Sequence, residues 1–136
     1  MKMLIVYGYI AFQGTTQNSD LAKEITVFDN PTGTASTTVT VQDITGYKYA
    51  DIYLRCAPSA SVEPNLHVVT IPIQIGTSFN IEMLSKTSVI YMHMYKAGFA
   101  NATSFVVDGF YRVKIADGTI FETSNQVAIK KIVVHN

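Results

Sequence analysis

The chain has 136 residues, of which 48% are hydrophobic and 15% are charged, and ten Lys and Arg balance ten Asp and Glu. This length supports one hydrophobic core, so we expect a single domain over residues 1–136. The zero formal net charge argues against nucleic acid and against an anionic membrane as partners, because both attract accumulated positive charge. With Cys56 as its single cysteine, the chain cannot form an internal disulfide.

The first twelve residues begin with a basic residue and continue with apolar ones, as a secretory signal does. Two tyrosines and a glycine interrupt this stretch, and it lacks a convincing small-x-small cleavage site. We therefore predict a first β-strand at 3–12 in a protein made in a cytoplasm. No apolar run approaches the roughly 20 residues that a membrane-spanning helix needs.

A hydrophobic period of two follows and predicts strands at 24–29, 36–42 and 50–56, after a polar loop at 13–20. The turn residues at 30–33 are predicted to end the first of these strands. The alternation is clearest in 50–56, where it predicts four inward side chains, those of Ala50, Ile52, Leu54 and Cys56.

The second half of the chain continues the alternation. Pro72 interrupts the strand predicted at 69–75 and cannot donate to a ladder, so this strand should lie at a sheet edge or carry a bulge. In the strand at 88–95, we expect Ile90, Met92 and Met94 to face the core. Further strands are predicted at 79–83, 105–116, 119–122 and 126–134, with Asp117-Gly118 as a hairpin turn.

About nine or ten short strands separated by turn signals predict an all-β protein. We expect an antiparallel β-sandwich that resembles a jelly roll, with a closed β-barrel as the alternative. Helix has room only in short pieces.

Motifs for catalysis and metal binding are missing from the sequence, which has no nucleotide-binding loop, nucleophile elbow or zinc-protease helix. His67, His93 and His135 lie on three separate segments without the short spacing of metal ligands. Asp43 and Asp117 precede turn residues, which explains them without a catalytic carboxylate pair. We therefore predict no catalytic residue, no metal site, no cofactor and no enzymatic activity.

Tyrosine is the most informative residue type, with eight Tyr beside seven Phe and no Trp. The predicted outward face of two strands carries four candidate interface or ligand-binding residues, which are Tyr53, Tyr91, His93 and Tyr95. Tyrosine combines a large rigid area with a polar tip and is enriched where protein surfaces meet. Two alternatives stay open: the faces of 88–95 are reversed, or the rings stack against sugars.

Three segments resemble the β-rich modules of tailed-bacteriophage virion proteins, found in tail-fibre tips and in capsid decoration or head-fibre proteins. They are 43–54 (DITGYKYADIYL), 69–73 (VTIPI) and the stretch from 113–118 (VKIADG) to 132–134 (IVV). The resemblance implies a virion protein that forms homo-oligomers and binds other virion proteins or a host-surface glycan. It transfers no functional residues. The chain lacks the long shaft of a fibre, which favours a decoration or head-completion role.

Three functions follow from the sequence. The first is a non-enzymatic virion assembly protein, which suits the neutral net charge. It also suits the predicted strands 3–12 and 132–134, whose sequences have few of the charges or prolines that prevent pairing at an exposed sheet edge. The second is a glycan- or receptor-binding module. The third is an enzyme, which would need a pocket with convergent titratable groups.

Overall fold

The computed structural model describes residues 23–34, 36–56, 66–86, 89–122 and 127–136, which form nine β-strands and no helix. The all-β prediction is confirmed, and each strand predicted beyond residue 23 has an observed counterpart. The strand predicted at 3–12 lies outside the described residues. The observed strands are β1 (Glu24–Thr34), β2 (Thr38–Thr40), β3 (Tyr49–Cys56), β4 (Leu66–Pro72), β5 (Phe79–Lys86), β6 (Ile90–Asn101), β7 (Ser104–Lys114), β8 (Ile120–Glu122) and β9 (Val127–His135).

The strands form two antiparallel sheets. The first has the order β1-β9-β3-β4, and the second has the order β2-β7-β6-β5, with β8 also paired to β7. The sheets do not close into a barrel in the part of the chain that is described, so the sandwich prediction is confirmed over its alternative. Consecutive strands lie in different sheets at β1-β2, β2-β3, β4-β5 and β8-β9, whereas β3-β4 and β5-β6-β7-β8 are antiparallel neighbours within one sheet.

The hydrophobic core fills the space between the sheets. Ala50, Ile52 and Leu54 are each 0% exposed, which confirms the predicted inward face of β3. From the other sheet, the rings of Phe99 and Phe105 meet edge to face with centroids 5.0 Å apart. Removing a side chain of this size from water stabilises the fold by roughly 1.5–3 kcal/mol. The side chain of Cys56 lies outside the described set.

The structure confirms the prediction made from Pro72 and contradicts the one made from the turn residues at 30–33. Pro72 is the last residue of β4, which lies at the edge of its sheet among the described strands, as predicted. The prediction that residues 30–33 end the first strand is wrong. The β1-β9 ladder shifts register between Asp29 and Thr34 and then resumes. Gly33, at a φ of 81°, supplies the left-handed residue that this irregularity requires.

The predicted inward face of residues 88–95 is also wrong. His93 and Tyr95 are only 4% and 2% exposed, whereas Ile90 is 41% exposed. The cause is cross-strand pairing with β5, in which Ile81 lies opposite Tyr95 and Met83 lies opposite His93. Residues directly opposite share a face. Both faces of β6 carry large side chains, so hydropathy along this strand alone could not select the buried one.

Candidate functional site

The four predicted candidate residues lie in two places. Tyr53 is half-buried on the outer side of β3, with the Lys131 ammonium 5.3 Å from its ring centroid. The other three, on β6, face the interior between the sheets, where Tyr95 stacks on Phe110. The structure therefore does not bring the four residues together as one outward stripe.

A polar cluster occupies the interior around β6. Ser85 Oγ and His93 Nε2 are 2.7 Å apart and form a buried hydrogen bond. The guanidinium carbon of Arg112 lies 4.5 Å from the ring centroid of Tyr91 and 5.1 Å from that of Phe121. Burial first, then the charges of Arg112 and His67, lowers the pKa of His93 to about 4. The imidazole is therefore neutral at pH 7.

The Ser85–His93 distance is one at which a serine nucleophile meets a histidine base. A catalytic base must accept the serine proton and become an imidazolium. Burial and the Arg112 cation both oppose that charge. Both residues are also 5% exposed or less, which keeps a substrate away from the hydroxyl. The pair fits a structural hydrogen bond that satisfies two buried polar groups.

The opposite face of the second sheet carries a row of apolar side chains that are exposed at the two ends of the row and half-buried in its middle. The row crosses four strands through successive partners, which are Leu84, Met92, Val113 and Ile120. Leu84 is 53% exposed and Ile120 is 67% exposed. Ile90 and Ile115, which are exposed as well, lie beside Met92 and Val113 in the middle of the row, where the Ile115 amide donates to the Ile90 carbonyl. We call these six residues the apolar surface.

Sequence reasoning missed this surface because it assigned Ile90 and Met92 to the core. Once β5 sets the orientation of β6, the same side chains point to solvent. Their in-register alignment with Val113 and Ile120 depends on pairings between separate strands. No signal within one strand reports such an alignment.

A cleft of about 630 Å³ lies next to the apolar surface on the same sheet. A β-bulge shapes it: between two paired positions, Gly109 and Phe110 on β7 oppose the single residue Tyr95 on β6. Gly109 has a φ of 64°, which side-chain-bearing residues rarely adopt. The outward side chains around the bulge include Asn80, Glu82, Met94, Lys96, Asp108 and Tyr111.

Within the described ranges, no three His, Cys, Asp or Glu side chains are grouped so that they could hold a metal ion. The described part of the chain also has no helix of the length and apolarity needed to cross a bilayer. Comparisons with known proteins found no matching family model, curated protein or solved structure.

Proposed function

We propose that this protein is a non-enzymatic structural protein of a virion, a capsid decoration or head/tail attachment protein made in the host cytoplasm. The observation that carries the assembly role is the apolar surface, where Leu84 and Ile120 are more than half exposed. Contiguous exposed apolar patches on soluble proteins mark sites of protein interaction. The virion setting comes from the resemblance of three strand segments to phage modules.

The occupant of the apolar surface is a second copy of the chain. The zero formal net charge removes the repulsion that would keep copies apart. A two-fold contact brings the same patch together from both copies, so the apolar side chains of each copy cover those of the other.

A charge placed on the apolar surface tests this proposal. Leu84→Glu should shift the sedimentation coefficient towards the monomer, because association would bury an unpaired carboxylate. Leu66→Glu is the matched control, since Leu66 is 52% exposed on β4 of the other sheet, close to the 53% of Leu84. The control should sediment like the unmodified protein. Equal effects from the two variants would argue against this face as the contact.

A further inference from the structure

The cleft beside the apolar surface has the shape of a ligand site. Its volume of about 630 Å³ falls within the range of roughly 300–1,000 Å³ typical of small-molecule sites. The bulge that shapes it includes Gly109, where an added Cβ would lie 3.7 Å from Lys96 Cγ. The depression is therefore built into the β6-β7 pairing.

The polar side chains of the cleft offer both kinds of hydrogen-bonding group. Glu82 and Asp108 accept, Lys96 donates, and the Asn80 amide does both. The ion pairs found in the described chain, Lys114–Asp117 and His135–Asp51, use other residues. Lys96 and Asp108 lie opposite each other on β6 and β7 without forming one. The charged groups of the cleft are thus open to a ligand.

The remaining wall is aromatic and apolar. Tyr111 is 43% exposed and lies across the ladder from Met94, so it presents ring surface to the cleft. A tyrosine ring supplies a large rigid apolar area that can stack on another flat apolar surface. The C–H face of a pyranose ring is such a surface, and its hydroxyls both donate and accept.

The charged side chains of the cleft disfavour both strongly anionic and cationic ligands. Two carboxylates beside one ammonium oppose a phosphate or another strong anion, while Lys96 opposes a cation. A neutral ligand with many hydroxyls satisfies both kinds of group at no charge cost. We propose that this cleft binds a neutral hexopyranose unit of a glycan, stacked on Tyr111 and hydrogen-bonded to Asn80, Glu82, Lys96 and Asp108.

This site is independent of the proposed contact between copies. Its side chains lie in the two rows of the sheet next to the row that starts at Leu84, one row through Glu82 and the next through Asn80. A sugar site can therefore be present whether or not the apolar surface joins two copies. Binding and oligomer mass are separate measurements, so failure of one proposal does not imply failure of the other.

Amide NMR of the ¹⁵N-labelled full chain tests the site. The probes are the methyl glycosides of glucose, galactose, mannose and N-acetylglucosamine, each titrated into the millimolar range. At least one should give saturable shifts that centre on the amides of Lys96, Gly109 and Tyr111. If none of the four shifts these amides, or if the shifts centre elsewhere, the proposal is overturned.

Substitutions of Tyr111 test whether its ring contributes to sugar binding. Tyr111→Ala should weaken binding about tenfold or more, and Tyr111→Phe, which keeps the stacking ring, should stay within about threefold. Tyr49→Ala is the matched control, since Tyr49 is 44% exposed on the other sheet, and it should bind like the unmodified chain. A dispersed spectrum confirms that each variant is folded. Unchanged binding by a folded Tyr111→Ala protein would overturn the proposal.

Discussion

Acid is expected to destabilise this protein through one buried imidazole, that of His93. Burial first, then Arg112 and His67, lowers its pKa from 6.5 to about 4 in the folded state. Between these two values the unfolded chain binds a proton that the folded chain does not. The free energy of unfolding therefore keeps this contribution in full above pH 6.5 and loses it as the pH falls towards 4.

The size of the loss follows from the difference between the two pKa values. At about 1.36 kcal/mol per unit, a pKa depressed to about 4 corresponds to roughly 3 kcal/mol. Solvent screening of the half-buried Arg112 reduces its share, so we expect about 2 kcal/mol. This is a large fraction of the roughly 5–15 kcal/mol that stabilises a typical domain.

The loss of unfolding free energy on acidification can be measured by urea denaturation at about pH 7 and about pH 4.5. The unmodified chain is compared with His93→Gln. Glutamine does not titrate and still offers an amide to Ser85, the hydrogen-bond partner of His93. Some carboxylates also have lowered pKa values, such as Asp117, whose pKa falls to about 2 chiefly through its hydrogen bond from Thr119. These groups contribute equally to the acid destabilisation of both proteins. The difference between the two pH dependences therefore isolates His93.

The variant should be less stable than the unmodified chain at pH 7 but should lose about 2 kcal/mol less on acidification. The same acid loss in both proteins would refute the reasoning, because His93 would then titrate normally in the fold. A variant unfolded at pH 7 would be replaced by His93→Asn, which also lacks a titrating group.

Three further predictions concern stability. Ile52→Asp should unfold the domain, since Ile52 is 0% exposed and an unpaired carboxylate there costs several kcal/mol; a native circular dichroism spectrum would contradict this. Gly98→Ala should cost about 1–3 kcal/mol in thermal unfolding, because the new Cβ would lie 2.1 Å from the Thr77 carbonyl oxygen; an unchanged melting temperature would count against that contact. His135 has its pKa raised, chiefly by its hydrogen bond with Asp51, so this pair stabilises below about pH 6.5 and the contribution is lost as the pH rises through the raised pKa. Asp51→Asn should remove that dependence, worth under about 1 kcal/mol, when stability at about pH 6 and about pH 8 is compared.

The sequence predicts the fold class and several local features well, because these depend on patterns within one segment. Alternation alone identifies the inward face of β3, where the outward residues Asp51 and Arg55 are charged. Pro72 alone indicates an edge position for β4, because proline lacks the amide proton of a ladder.

The apolar surface and the cleft are harder to predict, because both depend on pairings between strands. The orientation of β6 follows from Ile81 and Met83 on β5, and the apolar row exists because Met92 and Val113 are in register. The cleft requires a bulge whose position at Gly109 is not evident from β7 alone. Within β6 the sequence alone assigned the wrong side chains to the core, and the exposed face became evident only from the pairing with β5.

Light scattering of the unmodified protein across a dilution series tests most directly whether two copies meet through the apolar surface. The chain mass is 15.0 kDa. We predict a mass at least about twice that value at high concentration, falling towards the monomer on dilution, since association follows mass action. A mass of 15.0 kDa at every concentration would contradict the proposed contact between copies.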